Sequence, residues 1–155
     1  MPTLTLTVSE IAERIRRPHE DLRIAGDRIR NWTREGLLEP VGEKNPGTGK
    51  VRRYPESALL DAALLQVITD CTGVAAVAAG DLLNDARAIF ARIKKAGHLA
   101  SAALVISKSV GQTKWTMNHV KAEKLGQYLA QDDHDTHTVI QVNRLLKHIR
   151  SQEAI

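Results

Sequence analysis

The sequence predicts an α+β chain in two parts: an N-terminal half of helices around a short basic hairpin, then a small α/β module with about three strands. Three observations predict it. Apolar residues recur at helical spacing through most of the first hundred positions, a Gly- and Pro-rich stretch from Gly42 to Lys50 separates two short β-prone runs, and β-prone runs reappear after Gly97.

Taken in order, Thr7-Val8-Ser9-Glu10 matches a capping box, and Ile11, Ala12 and Ile15 continue it as the apolar stripe of a helix from about Val8 to Arg16. Pro18 ends that helix, and residues 18–25 fit either an extra helical turn or a loop. From Gly26 the helical pattern resumes, with Ile29, Trp32 and Leu37 on one side and Arg28, Arg30 and Arg34 largely on the other, up to a left-handed cap at Gly36. Leu38-Glu39-Pro40-Val41 and Val51-Arg52-Arg53-Tyr54 are strand candidates for a two-stranded hairpin. Pro55 opens a helix through Leu59, Leu64 and Ile68, Thr72-Gly73 breaks it, and Val74 to Ala96 supplies one or two further helices. Beyond Gly97, residues 103–107, 114–119 and 138–142 are strand candidates, with helices at 121–131 and 143–152. The resulting division is 1–72, a connecting segment 73–97, and 98–155.

Composition bounds the function. The 155 residues are 43% hydrophobic but only 3% aromatic, so the core must come from Leu, Ile, Val and Ala. No stretch is apolar enough to cross a bilayer, and Met1-Pro2-Thr3-Leu4 lacks the basic and apolar regions of a secretion signal, so a cytoplasmic protein with no membrane partner is expected. Cys71 is the single cysteine and is expected to be a buried small hydrophobe. Eleven of the basic residues, against eight acidic ones, fall in residues 1–54 of a chain whose net charge is +4. Many soluble proteins share such a balance. More telling is where the charges lie: Arg28, Arg30, Arg34, Lys50, Arg52 and Arg53 all fall in the second helix and the hairpin.

A helix in the major groove offers side chains to base edges, while arginines on its flank and on a neighbouring hairpin neutralise phosphates. The planar guanidinium fork suits both tasks. Taken alone, each part has a plainer explanation: a solvated basic face, a tryptophan anchoring a core, a simple turn. Their order is more specific. Ile29-Arg30-Asn31-Trp32-Thr33-Arg34-Glu35-Gly36-Leu37-Leu38-Glu39-Pro40 and Gly49-Lys50-Val51-Arg52-Arg53-Tyr54 resemble the winged helix-turn-helix of MerR-type transcription regulators over about the first half of the chain.

The resemblance implies a recognition helix carrying Arg30 and the aromatic Trp32, a wing whose Arg52 contacts the DNA backbone, and a closing aromatic at Tyr54. The expected DNA-binding residues are therefore Arg28, Arg30, Asn31 and Arg34 on the helix and Lys50, Arg52 and Arg53 on phosphates. Trp32 and Tyr54 either anchor helix and wing to the core or reach the backbone. Two departures stand out: the connection before the recognition helix is longer than usual, with Pro18 and Glu20-Asp21, and the family's long dimerisation helix is absent. A homodimer is nonetheless expected, joined through the sheet (Leu104, Ile106, Trp115, Met117, Val139, Ile140) or the closing helix (Leu145, Leu146, Ile149), because one helix reads few base pairs. Effector binding is the other role open to this module.

No motif supports catalysis or a cofactor. Asp132-Asp133-His134-Asp135-Thr136-His137 offers metal-ligand types at no established spacing, so a polar loop is expected and no metal. The expected function is sequence-specific binding of double-stranded DNA by a transcription regulator. The alternatives are an architectural DNA binder, such as a phage excisionase or small terminase subunit, and a protein-interaction adaptor.

Overall fold

The computed structural model describes residues 4–151, which divide into two compact units, residues 4–80 and Asp81–Ser151. Among them are six α-helices and two antiparallel sheets, of two and three strands, so the class is α+β.

In the first unit β1 (Thr5–Thr7) runs into α1 (Val8–Ile15). The expected capping box is present: the Glu10 N–H donates to Thr7 Oγ1 at 3.2 Å and the Thr7 N–H to Glu10 Oε2 at 2.6 Å. These bonds satisfy two groups that a helix start would otherwise leave without partners. Ile11, Ala12 and Ile15 form the buried stripe. Residues 16–21 are a tight connection in which His19 takes a left-handed φ of 63°.

Asp21 then caps α2 (Leu22–Arg34), accepting from the Arg23 N–H at 2.7 Å, so α2 begins before Gly26. It ends at Gly36, where φ is +77°. There the Leu37 N–H reaches Trp32 O at 2.8 Å and the Gly36 N–H reaches Thr33 O at 3.1 Å, the paired bonds of a left-handed helix cap. α3 (Ser57–Thr72) is buried on several faces, from Ala58 and Leu59 to Ile68, and both α1 and β2 pack on it.

The expected hairpin is corrected by the structure. Residues 38–41 form no strand, and β2 (Arg53–Pro55) pairs with β1, placing Leu6 opposite Tyr54. One backbone bond, from the Val41 N–H to Arg53 O at 2.8 Å, joins the two expected wing strands. Pairing with β1 buries Leu6 beside Tyr54, whereas Val41 and Val51 are exposed and have no apolar face to bury. Residues 42–52 form an irregular loop anchored at both ends.

In the second unit the sheet order is β4–β3–β5, with β3 (Ala102–Lys108) central, β4 (Thr116–Lys121) and β5 (Thr136–Gln141) outside, and both pairings antiparallel. β3 reads Ala-Ala-Leu-Val-Ile-Ser and is buried throughout, as befits a strand covered on both faces. α6 (Val142–Ser151) packs on β3 and β5, and the short α5 (Leu125–Gln131) on β4. The division between units lies after Gly80, inside α4 (Ala76–Lys95). Leu82, Leu83, Ala86, Ile89, Phe90 and Ile93 of α4 are buried, so this helix is core rather than connector.

Leu104, Ile106, Met117, Ile140, Leu145 and Ile149 are buried within the single chain. Trp115, Val139 and Leu146 remain at least partly exposed. Cys71 is exposed, contrary to expectation, because it lies at the end of α3 outside its apolar surface. No helix among the described residues is long and apolar enough to cross a membrane.

Candidate nucleic-acid interface

α2 divides cleanly into two faces. Ala25, Gly26, Ile29, Trp32 and Thr33 are buried, while Asp27, Arg30, Asn31 and Arg34 lie outward at the i, i+3, i+4, i+7 spacing of one helical stripe. The Asn31 amide side chain and the Arg34 guanidinium have no hydrogen-bond partner among the described residues. Arg30 is half exposed and donates to Asp27 Oδ1 at 2.7 Å, which orients its guanidinium along the same face.

Beside this face lies the loop 42–52. The Lys44 ammonium donates to Arg34 O at 3.1 Å, at the end of α2. Arg52 folds the loop over itself, its Nε donating to Lys44 O at 2.8 Å and its Nη2 to Asn45 Oδ1 at 3.1 Å. Between α2, the start of α1 and this loop runs a groove of about 630 Å³ lined by Arg30, Lys50, Arg52, Ser9 and Thr48 among others. A second hollow of about 390 Å³ adjoins it, bounded by Arg30, Arg34, Lys44 and Arg52. No carboxylate lines either. Three cations thus line the groove and four the hollow, Arg30 and Arg52 belonging to both, and Asp27, which lines neither, pairs with Arg30 alone. Charges so placed raise the local concentration of anions.

The structure brings Arg30, Arg34, Lys50 and Arg52 together, and Asn31 stands on the same helix face. Arg53 is exposed but lines neither hollow. Three of the expected site residues are covered within the chain. Trp32 is 3% and Tyr54 0% exposed, so both anchor the core, the first of the two roles open to them. The Thr33 hydroxyl donates to Ile29 O at 2.9 Å, which leaves the Tyr54 hydroxyl to donate to Thr33 Oγ1 at 2.7 Å and ties β2 to α2.

Arg28 is the third. Its guanidinium donates to Glu20 Oε1 and to Gln66 Oε1, with 15% of the side chain exposed. Glu20 also accepts from the Arg17 N–H at 3.0 Å and from Arg17 Nη1 at 3.0 Å, and Arg17 pairs in turn with Asp70, which accepts from the Gln66 amide. Arg28 thus belongs to a network that ties the 16–21 connection and α2 to α3. Burial on its own would raise the Glu20 carboxyl, but the Arg17 N–H and the Arg28 guanidinium outweigh it and hold the group below its usual 4.5. Asp70 behaves alike: the effect of burial is overcome by Arg17 and Gln66.

Lys44, Asn45 and Ser9 were not expected at this site. Lys44 and Asn45 stand within the turn-rich tip, where sequence distinguishes no residue from its neighbours. Ser9 shares the groove only because β1 pairs with β2 and carries the start of α1 to the loop.

At the cluster 132–137 of the second unit, Asp132 accepts from the His134 N–H at 3.0 Å and from His134 Nδ1, and Asp135 accepts from the Val110 N–H at 2.8 Å. His137 Nδ1 lies 2.9 Å from Ser107 Oγ. The bond to His134 is the main reason that the Asp132 carboxyl is lowered to about 2. Among the described residues no three His, Cys, Asp or Glu side chains converge as metal ligands would. The chain matches no protein-family model and no curated protein.

Proposed function

We propose that the first unit binds double-stranded DNA, with α2 in the major groove and the loop 42–52 as a wing on the phosphates, and that the protein is a transcription regulator of the MerR-like kind its sequence resembles. One observation carries this reading: five cations from α2 and the loop line two hollows that share Arg30 and Arg52 and have no carboxylate in their walls, beside an exposed helix face with an unpartnered asparagine. Asn31 can pair bidentately with an adenine edge and Arg34 with guanine or phosphate. Lys44, Lys50 and Arg52 add attraction that carries no sequence information. Selection of bound duplexes from a random pool, followed by titration over a salt series, tests the reading. The expected results are an enriched sequence and a slope of log affinity against log salt of roughly −4.5 for five phosphate contacts, lower in magnitude where a cation reads a base instead. Binding that is absent, or indifferent to salt, refutes it.

A further inference from the structure

The second unit contains a small cleft with a distinct division of chemistry. It has a volume of about 160 Å³ and lies between the last turn of α4 and the end of the β3–β4 pair. Its apolar lining is the buried Ile93, Ala102 and Val120 with the exposed Ala96, and Arg92, His98, His119 and Lys121 complete it. No carboxylate lines it. Arg92, His119 and Lys121 make no side-chain hydrogen bond or ion pair with any described residue.

Backbone geometry builds this arrangement. Gly97, at φ +72°, turns the chain at the end of α4, where the His98 N–H bonds Ile93 O at 3.0 Å and the Gly97 N–H bonds Lys94 O at 3.1 Å. This brings His98 back beside Ile93. Ala102 and Lys121 are register partners in the sheet, so a small side chain on β3 leaves room directly beside a cation on β4. The carbonyl end of a helix disfavours an anion, but here the cap bonds occupy two of those carbonyls, and Arg92, Lys94 and Lys95 in the last turn oppose the remaining dipole.

We propose that this cleft binds a small organic carboxylate whose apolar body is about the size of one aromatic ring. An apolar cavity of about 150 Å³ accommodates a benzene ring, which sets the size of the body. Two unpaired cations at the rim set the charge, because a carboxylate there gains charge-assisted bonds from groups that need no other partner to be displaced. Two imidazoles offer further donors. A neutral or cationic ligand of the same shape gains only the apolar floor. The site does not depend on whether the first unit binds DNA.

Benzoate is the probe, titrated into the full chain and followed by calorimetry and by amide shifts in NMR spectra. Saturable binding is expected at millimolar or lower concentration, with the largest shifts at Ala102 and Val120, while benzylamine does not saturate. The paired substitution Arg92→Gln with Lys121→Gln weakens benzoate by about tenfold or more. Ala96→Leu, at an exposed helix end where leucine is compatible with the backbone, abolishes binding by filling the cleft. Circular dichroism of each variant checks that it is folded, and the benzylamine comparison needs no variant. Failure of benzoate to saturate at tens of millimolar, equal affinity for benzylamine, or unchanged binding in the folded double variant overturns the proposal.

Discussion

Replacing Glu20 by alanine should loosen the first unit more than any other single change at a polar residue of the connection, and the structure allows the size of the effect to be worked out. The carboxylate accepts one backbone N–H and one guanidinium N–H from Arg17 and a further guanidinium N–H from Arg28, with 8% of its side chain exposed. Hydrogen bonds to charged groups contribute about 1.5–3 kcal/mol each when buried, but Arg17 is half exposed and regains water, so its side-chain bond adds little. Arg28 is different. Its side chain is 15% exposed in the intact chain, and without Glu20 it keeps only the Gln66 carbonyl as partner; an uncompensated, largely covered charge is what makes the loss of one member of a pair costly. We expect Glu20→Ala to cost about 2–3 kcal/mol, and Glu20→Gln, which keeps an acceptor without the charge, about half as much. Urea unfolding followed by circular dichroism measures both. Because the folded carboxyl sits below 4.5, its contribution is complete above that pH and is lost as pH falls through the lower folded value, so the variants should lose part of the acid sensitivity of the parent. A cost under about 0.5 kcal/mol, the range of an ordinary surface change, would refute the argument that this network holds α2 in place.

Three further outcomes follow from the same geometry. Asn31→Ala should relax discrimination at one base position by about 1–3 kcal/mol, whereas Lys50→Ala should weaken every duplex alike and reduce the salt slope by about 0.9; competition between selected and scrambled duplexes separates the two, and the opposite pattern would reverse the roles given to helix and wing. Tyr54→Phe should cost about 1 kcal/mol without altering the helix content, since it removes one buried hydroxyl and leaves the Thr33 oxygen short of a donor, and a neutral substitution in urea unfolding would show that the Thr33 bond does not matter. In the second unit, the bond to His134 holds Asp132 at about 2 against an ordinary 3.8, so its stabilisation is fully present above pH 3.8 and disappears toward pH 2; Asp132→Asn should flatten the acid limb of that unit's unfolding, and an unchanged limb counts against the pairing.

How much of this was legible depended on whether the signal was local. The capping box at Thr7 and Glu10, the left-handed end of α2 at Gly36 and the break at Gly73 were readable because each is decided within a few residues. So was the apolar run of β3, and so was the outward stripe of Arg30, Asn31 and Arg34, which follows from helical period alone. Arg28 was misplaced because period puts it at the border between faces, and its fate was settled by Glu20 and by Gln66, 38 positions away. The N-terminal strand escaped notice because three residues of Thr-Leu-Thr alternation are too short to read until Tyr54 supplies the opposite side. That one pairing has a wider consequence. It removes Arg53-Tyr54 from the expected hairpin, hides the tyrosine, and leaves the loop to be folded by Arg52 and Lys44 instead of by a strand ladder. Arg52 therefore has two duties, shaping the loop and facing the groove, and its replacement by alanine would mix a conformational loss with a lost contact. Lys50 faces the groove without any such bond, which makes it the cleaner probe of the loop's charge.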